Sequence, residues 1–302
     1  MKKAKCDKAN RKHTIIKVLG ITAVLFLMLV SIAGTAQSTN VWFHKGNERM
    51  SSEKYNEAIK AYDKAIEINP QDSDAWYNKG KALYKLNKYD EALKAYDKAI
   101  EIDQHNSSID WFHKGNELMS SEKHNEAIKA YDKAIEINPN NSPIDWYNKG
   151  NALSSLGKSD EAIKAYDKVI EINSQCSEAW NNKGSTLDNL NKYDEAIKAY
   201  DKAIEINPQY SDAWYNKGLA LDHLNKYVEA IKAYDKAIEI NPQNSMAWYN
   251  RACIYSLINN KDQSILNLKK AIELDSSHKE KAKKDGDFKR LWIDEKFKEL
   301  IK

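Results

Sequence analysis

The chain has 302 residues, of which 30% are charged and 10% aromatic, with a formal net charge of +3 at pH 7. Residues 1–36 carry seven basic residues and one acid, and subtracting this +6 from the total leaves −3 for the remainder. A mildly acidic domain lacks the clustered basic surface that phosphate backbones require, so we expect no nucleic acid partner.

Residues 1–36 predict an export or membrane signal, because the basic residues precede an apolar run from Val18 to Gly34. The run is slightly short for a membrane span, and the small residues from Gly34 to Ala36 favour cleavage. The long charged leader and the snorkelling stem of Lys17 favour an uncleaved anchor over residues 18–34. We therefore expect the following domain to be membrane-anchored outside the cytoplasm, or secreted after cleavage near Ala36.

Residues 37–276 form a tandem array. Close copies of the stretch from Tyr193 to Pro208 appear six times and are followed by a degenerate seventh. A segment that opens on tryptophan precedes each copy. These tryptophans, 34 or 35 residues apart, are Trp42, Trp76, Trp111, Trp146, Trp180, Trp214 and Trp248. In such an array each repeat contacts only its neighbours, so one elongated domain is expected.

Each repeat is expected to contain two helices. In the stretch from Tyr193 to Pro208, apolar residues recur at offsets of one, four, seven and eight, the spacing of one helical face. The preceding segment places tryptophan, glycine and leucine at offsets of zero, four and seven, a second helical stripe. Gly184 and Ala196 are small residues on the two facing stripes and allow close approach. Asp194 is expected to pair with Lys198 one turn later.

The junction between the two helices favours a left-handed residue. Asparagine or glycine suits that conformation and occupies the position as Asn87, Gly157, Asn191, Asn225 and Asn259. Glu53 and Glu122 stand at the same position and depart from the pattern.

This pattern resembles the tetratricopeptide repeat family over about residues 39 to 276. The family's tryptophan, glycine, alanine, aromatic, alanine and proline positions are matched by Trp42, Gly46, Ala58, Tyr62, Ala65 and Pro70. The resemblance implies an all-α, right-handed superhelical solenoid of about seven helix-turn-helix units. One departure recurs, because the family's leucine before the glycine is lysine here, at Lys45, Lys79, Lys114, Lys149, Lys183 and Lys217.

The resemblance also implies a concave groove, lined by the first helices, that binds a peptide segment. Aromatic and asparagine residues lie one and two positions after most tryptophans, and asparagine amides can satisfy peptide groups. The position eight after tryptophan varies between copies and becomes acidic in the fifth and sixth. The candidate groove residues are Tyr77, Asn78, Tyr147, Asn148, Asn182, Asp188, Tyr215, Asn216, Asp222 and Asn250. Packing between repeats is the open alternative for both ladders.

The chemistry of the partner is a hypothesis from the varying positions. Met50, Tyr84 and Met119 predict apolar partner residues against the first three repeats. Asp188 and Asp222 predict lysine or arginine against the fifth and sixth, by charge complementarity. The predicted function is a non-catalytic scaffold that binds a protein segment. The alternative is a structural role in an envelope assembly, joined through the convex face or the ends of the array.

Motifs for catalysis or cofactors are missing from the sequence. There is no HExxH, CxxC, GxSxG or glycine-rich phosphate loop. We therefore expect no enzyme activity, no cofactor and no metal site. Cys176 lies in a loop, and Cys253 is expected to pack as a small apolar side chain.

Residues 277–302 lose the period and mix lysine with apolar side chains. A solvating cap over the last repeat is expected, since the final helical pair would otherwise expose its apolar face. A basic amphipathic helix resting on a membrane is the alternative.

Overall fold

The computed structural model describes residues 37–103, 107–139 and 142–302. All secondary structure in these ranges is helical, which confirms the expected all-α class. The predicted signal or anchor over residues 18–34 lies outside them. A bilayer span needs about 20 apolar residues, and no helix within the described ranges meets that requirement.

The helices form two compact units, the first ending at Ile137 and the second running from Asn138 to Lys302. The first unit contains α1 (37–51), α2 (Tyr55–Ile68), α3 (Ser73–Lys85), α4 (Tyr89–Ile102), α5 (Ser108–Ser120) and α6 (His124–Ile137). The second contains α7 (Pro143–Ser155), α8 (Ser159–Ile172), α9 (Ser177–Asn189), α10 (Tyr193–Ile206), α11 (Ser211–His223), α12 (Tyr227–Ile240), α13 (Ser245–Leu257) and α14 (Lys261–Leu274). Odd-numbered helices are the first, and even-numbered the second, of each repeat. The right-handed superhelix stays a prediction.

Helix α10 shows why the second helix of each repeat begins and ends where it does. Asp194 and Glu195 lie in the first turn, where acids complement the helix dipole. The helix ends at Ile206 because Asn207 is extended, with φ −131° and ψ 90°, ahead of Pro208. The buried face contains Ala196, Ala199, Tyr200 and Ala203.

The predicted ion pair between Asp194 and Lys198 within α10 is wrong. Asp194 Oδ1 lies 3.2 Å from Nζ of Lys226, at the start of α12, instead of pairing with Lys198. The first unit repeats this contact between Asp90 and Lys123, at 3.4 Å. The carboxylate therefore links successive repeats, a contact that spacing along one helix does not reveal.

The left-handed junctions are confirmed for asparagine and glycine. Positive φ angles occur at Glu53, Asn87, Glu122, Gly157, Asn191, Asn225 and Asn259. Glu53 and Glu122 adopt φ values of 57° and 58° although a left-handed residue with a Cβ costs roughly 1–2 kcal/mol. Packing of the two helices therefore overrides the local preference at these two sites.

A tyrosine of each of the first six second helices packs over the glycine of its first helix. Tyr200 is buried, and a Cβ added at Gly184 would lie 2.6 Å from its Cε1 atom. The glycine that we expected to face Ala196 therefore makes room for an aromatic ring.

Gly184→Ala should destabilise the second unit by up to about 2 kcal/mol. The new methyl group would force the Tyr200 ring from a packed position at a cost of about 1–3 kcal/mol, and the roughly 1 kcal/mol that alanine gains over glycine in a helix offsets part of that cost. Urea unfolding of the two proteins measures the difference. The neighbouring Ser185→Ala is the control, and an unchanged or raised midpoint for Gly184→Ala would contradict the packing account.

The lysine that replaces the family's leucine links adjacent repeats. Lys183 Nζ lies 2.6 Å from Asp167 Oδ1 on the preceding second helix and 5.4 Å from the centre of the Trp180 ring. The same arrangement joins Lys79 to Asp63, Lys114 to Asp97, Lys217 to Asp201 and Arg251 to Asp235. The lysine stem covers apolar surface, as leucine would, while its head pairs with a carboxylate. Each pair is partly exposed and contributes at most about 1 kcal/mol.

Residues 277–302 fold against the last helical pair. They form α15 (Ser277–Ala282), a 3-10 helix (Gly286–Leu291) and α16 (Glu295–Ile301). Phe288, Leu291 and Phe297 are buried in one cluster with Tyr249 and Leu268. These apolar side chains therefore belong to the core of the second unit.

Candidate functional site

The ten candidate groove residues are divided between the two units. Tyr77 and Asn78 lie on α3 of the first unit, and the other eight lie on α7, α9, α11 and α13 of the second. We call the surface of these four helices that carries the eight residues the first-helix face. Tyr147, Asn182, Tyr215 and Asp222 are half-buried there, so each side chain has one part in the core and one at the surface.

The asparagine ladder bonds to the repeat before it. Asn182 Nδ2 donates to the Tyr147 hydroxyl at 3.0 Å and to Asn151 Oδ1 at 3.1 Å. Asn250 Nδ2 donates to the Tyr215 hydroxyl at 3.2 Å. These bonds support the alternative that both ladders serve packing between repeats, because both amide donors of Asn182 and one of Asn250 are already used.

Two other asparagines also have partners inside the protein. Asn216 Nδ2 donates to Asn181 Oδ1 at 3.1 Å, again across a repeat junction. Asn78 Nδ2 donates to the backbone oxygen of Asp74 at 2.9 Å, within its own helix. Three asparagines of the ladder, Asn182, Asn216 and Asn250, therefore bond across a repeat junction, and Asn78 bonds within its own helix.

In the described part of the chain, Asp188 and Asp222 lack the partners within the protein that the asparagines of the ladder have. Burial raises the pKa of Asp188, and burial together with the charge of Asp287 raises the pKa of Asp222 to about 6. One carboxylate oxygen of Asp188 is buried without a hydrogen bond. Across the described residues neither carboxylate has a lysine or arginine partner within 4.0 Å, and the nearby charge that favours ionisation is His223.

A pocket of about 320 Å³ opens between α7, α8 and α9, beside the first-helix face. Its lining residues are Pro143, Ile144, Tyr147, Val169, Asn173, Cys176 and Glu178. Of these only Tyr147 was among the candidate site residues. A signal was present in the sequence, because Cys176 replaces the helix-capping type of residue found at this position in most other copies.

The first unit is not simply apolar on its first helices. A smaller pocket of about 160 Å³ is lined by Lys81, Tyr84, Lys85, Tyr96, His113 and Asn116. We expected an apolar surface from one position of each repeat, Met50, Tyr84 and Met119. Lys81 and Lys85 come from neighbouring positions of α3.

One group of side chains has metal-ligand types. Ligand atoms of Cys253, Asp285 and Asp287 lie within 4.8 Å of one another. Asp285 Oδ2 accepts a hydrogen bond from the Tyr249 hydroxyl at 2.7 Å, and its Oδ1 accepts from the Asp287 N–H at 3.1 Å. The carboxylate thus caps the 3-10 helix, and Cys253 is buried beside it as a free thiol. The expected absence of a metal site stays a prediction.

The repeating pair of helices, with its buried tyrosine and glycine, defines a helical-repeat protein. Family profiles described as TPR repeat match residues 46–87. Profiles described as tetratricopeptide repeat match residues 73–106, 110–141, 147–211, 184–245 and 233–265. The chain belongs to the tetratricopeptide repeat family, as its sequence pattern predicted.

Solved structures give the same fold. YrrB, described as a TPR protein with an unusual peptide-binding site, is 28% identical with a TM-score of 0.54, over 64% of this chain and 98% of YrrB. MamA is 29% identical with a TM-score of 0.51, over 56% of this chain and 96% of MamA. The C-terminal part of a repeat protein from Cytophaga hutchinsonii is 19% identical with a TM-score of 0.67, over 78% and 96% of the two chains, and shows the fold alone.

No curated protein sequence matched the chain. The family and the solved relatives support a protein-interaction scaffold as the class of function.

Proposed function

We propose that the chain is a non-catalytic scaffold whose first-helix face binds a basic segment of a partner protein. The observation that carries this proposal is the pair of half-buried carboxylates, Asp188 and Asp222, which lack a cationic partner among the described residues. YrrB, whose description names a peptide-binding site, supports a peptide as the partner.

Other aspartates of the same unit show what is unusual about this pair. Asp167, Asp201 and Asp235, on the second helices, each lie beside a lysine or arginine of the next repeat. A buried, unpaired carboxylate is costly, and a charge-assisted bond from an incoming lysine or arginine offsets that cost. Acids that stay unpaired on one face are therefore suited to an external cation.

The proposal predicts a pH dependence of binding. A lysine or arginine beside Asp222 favours the ionised carboxylate and lowers its pKa from about 6. The complex therefore holds fewer protons than the free protein, and affinity should fall as the pH drops through about 6.

The test compares three forms of the full chain in crosslinked pull-downs from extracts. The first is the unchanged protein, and the second carries Asp188→Asn and Asp222→Asn. The third is a charge-matched control carrying Asp160→Asn and Glu195→Gln on second helices, where both side chains are exposed. Circular dichroism first establishes that all three are folded.

We expect one partner to be captured by the unchanged protein and the control, and to lose at least about ten-fold in affinity with the double variant. Equal capture by all three forms would contradict binding at this face. The alternative of a structural part in an envelope assembly, joined through another surface, would then be favoured.

We also propose that the repeats act outside the cytoplasm, either anchored or secreted. Support comes from the basic residues before the apolar run of 18–34. The intact mass of protein from the membrane fraction separates the two cases, because a chain that begins at Gln37 excludes the anchor. Recovery of the repeats in the cytoplasmic fraction of the source cells would contradict export.

A further inference from the structure

Two first helices of the second unit have, at the N-cap position, a residue that is not of the usual capping type. The N-cap position lies four residues before each tryptophan, where Asp72 and Asn244 accept a hydrogen bond from a backbone N–H at 3.0 Å. Cys176 and Tyr210 occupy this position in the fifth and sixth repeats and form no such side-chain bond. A missing cap costs about 0.5–2 kcal/mol, so these residues break a local rule that the architecture favours.

Cys176 instead lines the pocket of about 320 Å³ between α7, α8 and α9. Ile144, which is 51% exposed, and Tyr147 form further apolar parts of its wall. Val169 adds two methyl groups at a position where other copies have alanine. The volume is at the small end of the roughly 300–1,000 Å³ range of ligand pockets. It suits a single side chain better than a whole small molecule.

The rim of this pocket is acidic. Glu178 Oε2 accepts a hydrogen bond from the Ser177 hydroxyl at 3.1 Å and lies 3.7 Å from Cys176 Sγ. The Glu178 side chain is exposed and forms no ion pair within the ranges that the structure describes. Tyr210 lies close enough for the charges of Asp212 and Glu178 to act on its hydroxyl. The Glu178 carboxylate therefore lies beside an apolar cavity.

We infer that this pocket binds one bulky apolar side chain of the partner segment, and that an adjacent lysine or arginine of the segment pairs with Glu178. The inference rests on the proposed function, and it specifies the partner segment as one with an apolar residue next to a lysine or arginine. Charge complementarity decides the occupant, because an acidic neighbour would face Glu178 and be rejected. Burial of the apolar side chain removes both its own surface and that of Ile144 from water.

Synthetic peptides with a polar serine and glycine background provide the probe. They carry a central Leu-Lys, Phe-Lys, Leu-Glu or Ser-Lys pair, and their affinity for the full chain is measured by fluorescence anisotropy. The Leu-Lys and Phe-Lys peptides should bind at least about ten-fold more tightly than the other two. Glu178→Gln should abolish the preference for Leu-Lys over Leu-Glu.

Ile144→Ser tests the pocket itself and should weaken Leu-Lys binding by about ten-fold. Because Ile144 is exposed, its replacement should leave the fold intact, and Ile109→Ser is the matched control. Ile109 stands at the same position of the third repeat and is similarly exposed. This control should bind as the unchanged protein does.

Alkylation of Cys176 gives a readout that does not depend on affinity. In a Cys6→Ser background, saturating Leu-Lys peptide should slow labelling of Cys176 several-fold, whereas Cys253, at 4% exposure, serves as the slowly reacting reference. Mass spectrometry of proteolytic fragments assigns the labelled thiol.

The outcomes separate this inference from the proposed function. Unchanged affinity in Ile144→Ser, with unchanged labelling of Cys176, would overturn the pocket. If the double variant Asp188→Asn, Asp222→Asn still weakened binding of the same peptide, the proposal that the first-helix face binds a segment would hold without the pocket. Failure of every peptide to bind, together with equal capture by the double aspartate variant, would overturn both.

Discussion

Phe288→Ala should destabilise the last helical pair by about 3–5 kcal/mol, the usual cost of removing a buried phenylalanine ring. Phe288 is fully buried, with its ring 5.7 Å from that of Tyr249 and 5.5 Å from that of Phe297. Its removal would leave a cavity where the C-terminal segment meets α13. Because each repeat depends mainly on its neighbours, the loss should stay local.

Hydrogen exchange measured by mass spectrometry checks this locality. Amides of α13 and α14 should lose protection, while those of α7 and α8 keep it. Ile293→Ala, in the same segment and 83% exposed, is the control and should change little. Equal loss of protection in α7 and α13 would contradict the neighbour-limited account.

Glu117→Ala should stabilise the first unit at neutral pH. Glu117 has no exposed surface, and neither carboxylate oxygen has a hydrogen-bond partner. Burial, with a second contribution from the charge of Asp90, raises its pKa to about 7. In three other repeats the equivalent position is alanine, at Ala82, Ala152 and Ala220. Alanine removes the buried acid without a change of local structure.

The gain should depend on pH. The folded pKa of Glu117 lies above its ordinary 4.5, so the folded state holds the proton more tightly than the unfolded chain. The contribution of Glu117 to stability therefore falls as the pH rises from about 4.5 to about 7 and is then level. The advantage of Glu117→Ala should grow over this interval, by at most about 3 kcal/mol.

Urea unfolding at about pH 5 and about pH 8 measures this change. Glu48→Ala is the control, since Glu48 holds the same position in the first repeat and is exposed. An equal advantage at both pH values would contradict the buried acid as the cause.

The shared sequence of repeats one and three explains how such an acid arises. Both repeats contain WFHKGNE, which ends at Glu48 and Glu117. In α1 this residue is exposed, whereas in α5 the same position is buried and the charge of Glu117 acts on Tyr96 of the preceding repeat. The residue is suited to the end of an array and costly inside it.

The sequence determined the repeat, the helices and five of the seven left-handed turns by itself, because each of these has a local cause. The bounds of α10 follow from the spacing of its apolar residues and from the stop at Pro208. The left-handed asparagines were predictable from the freedom of that residue type. These features require only residues that are close along the chain.

Tertiary structure decided which residues of different repeats meet. Sequence reasoning left Asn182 between a peptide contact and packing between repeats, and in the structure it bonds to Tyr147 of the preceding repeat. It treated Lys183 as a departure from the family, and the structure pairs it with Asp167. The pocket beside Cys176 also comes from three helices of two repeats. A helical period states which face of a helix is buried, but the partners on that face are fixed only when neighbouring repeats pack.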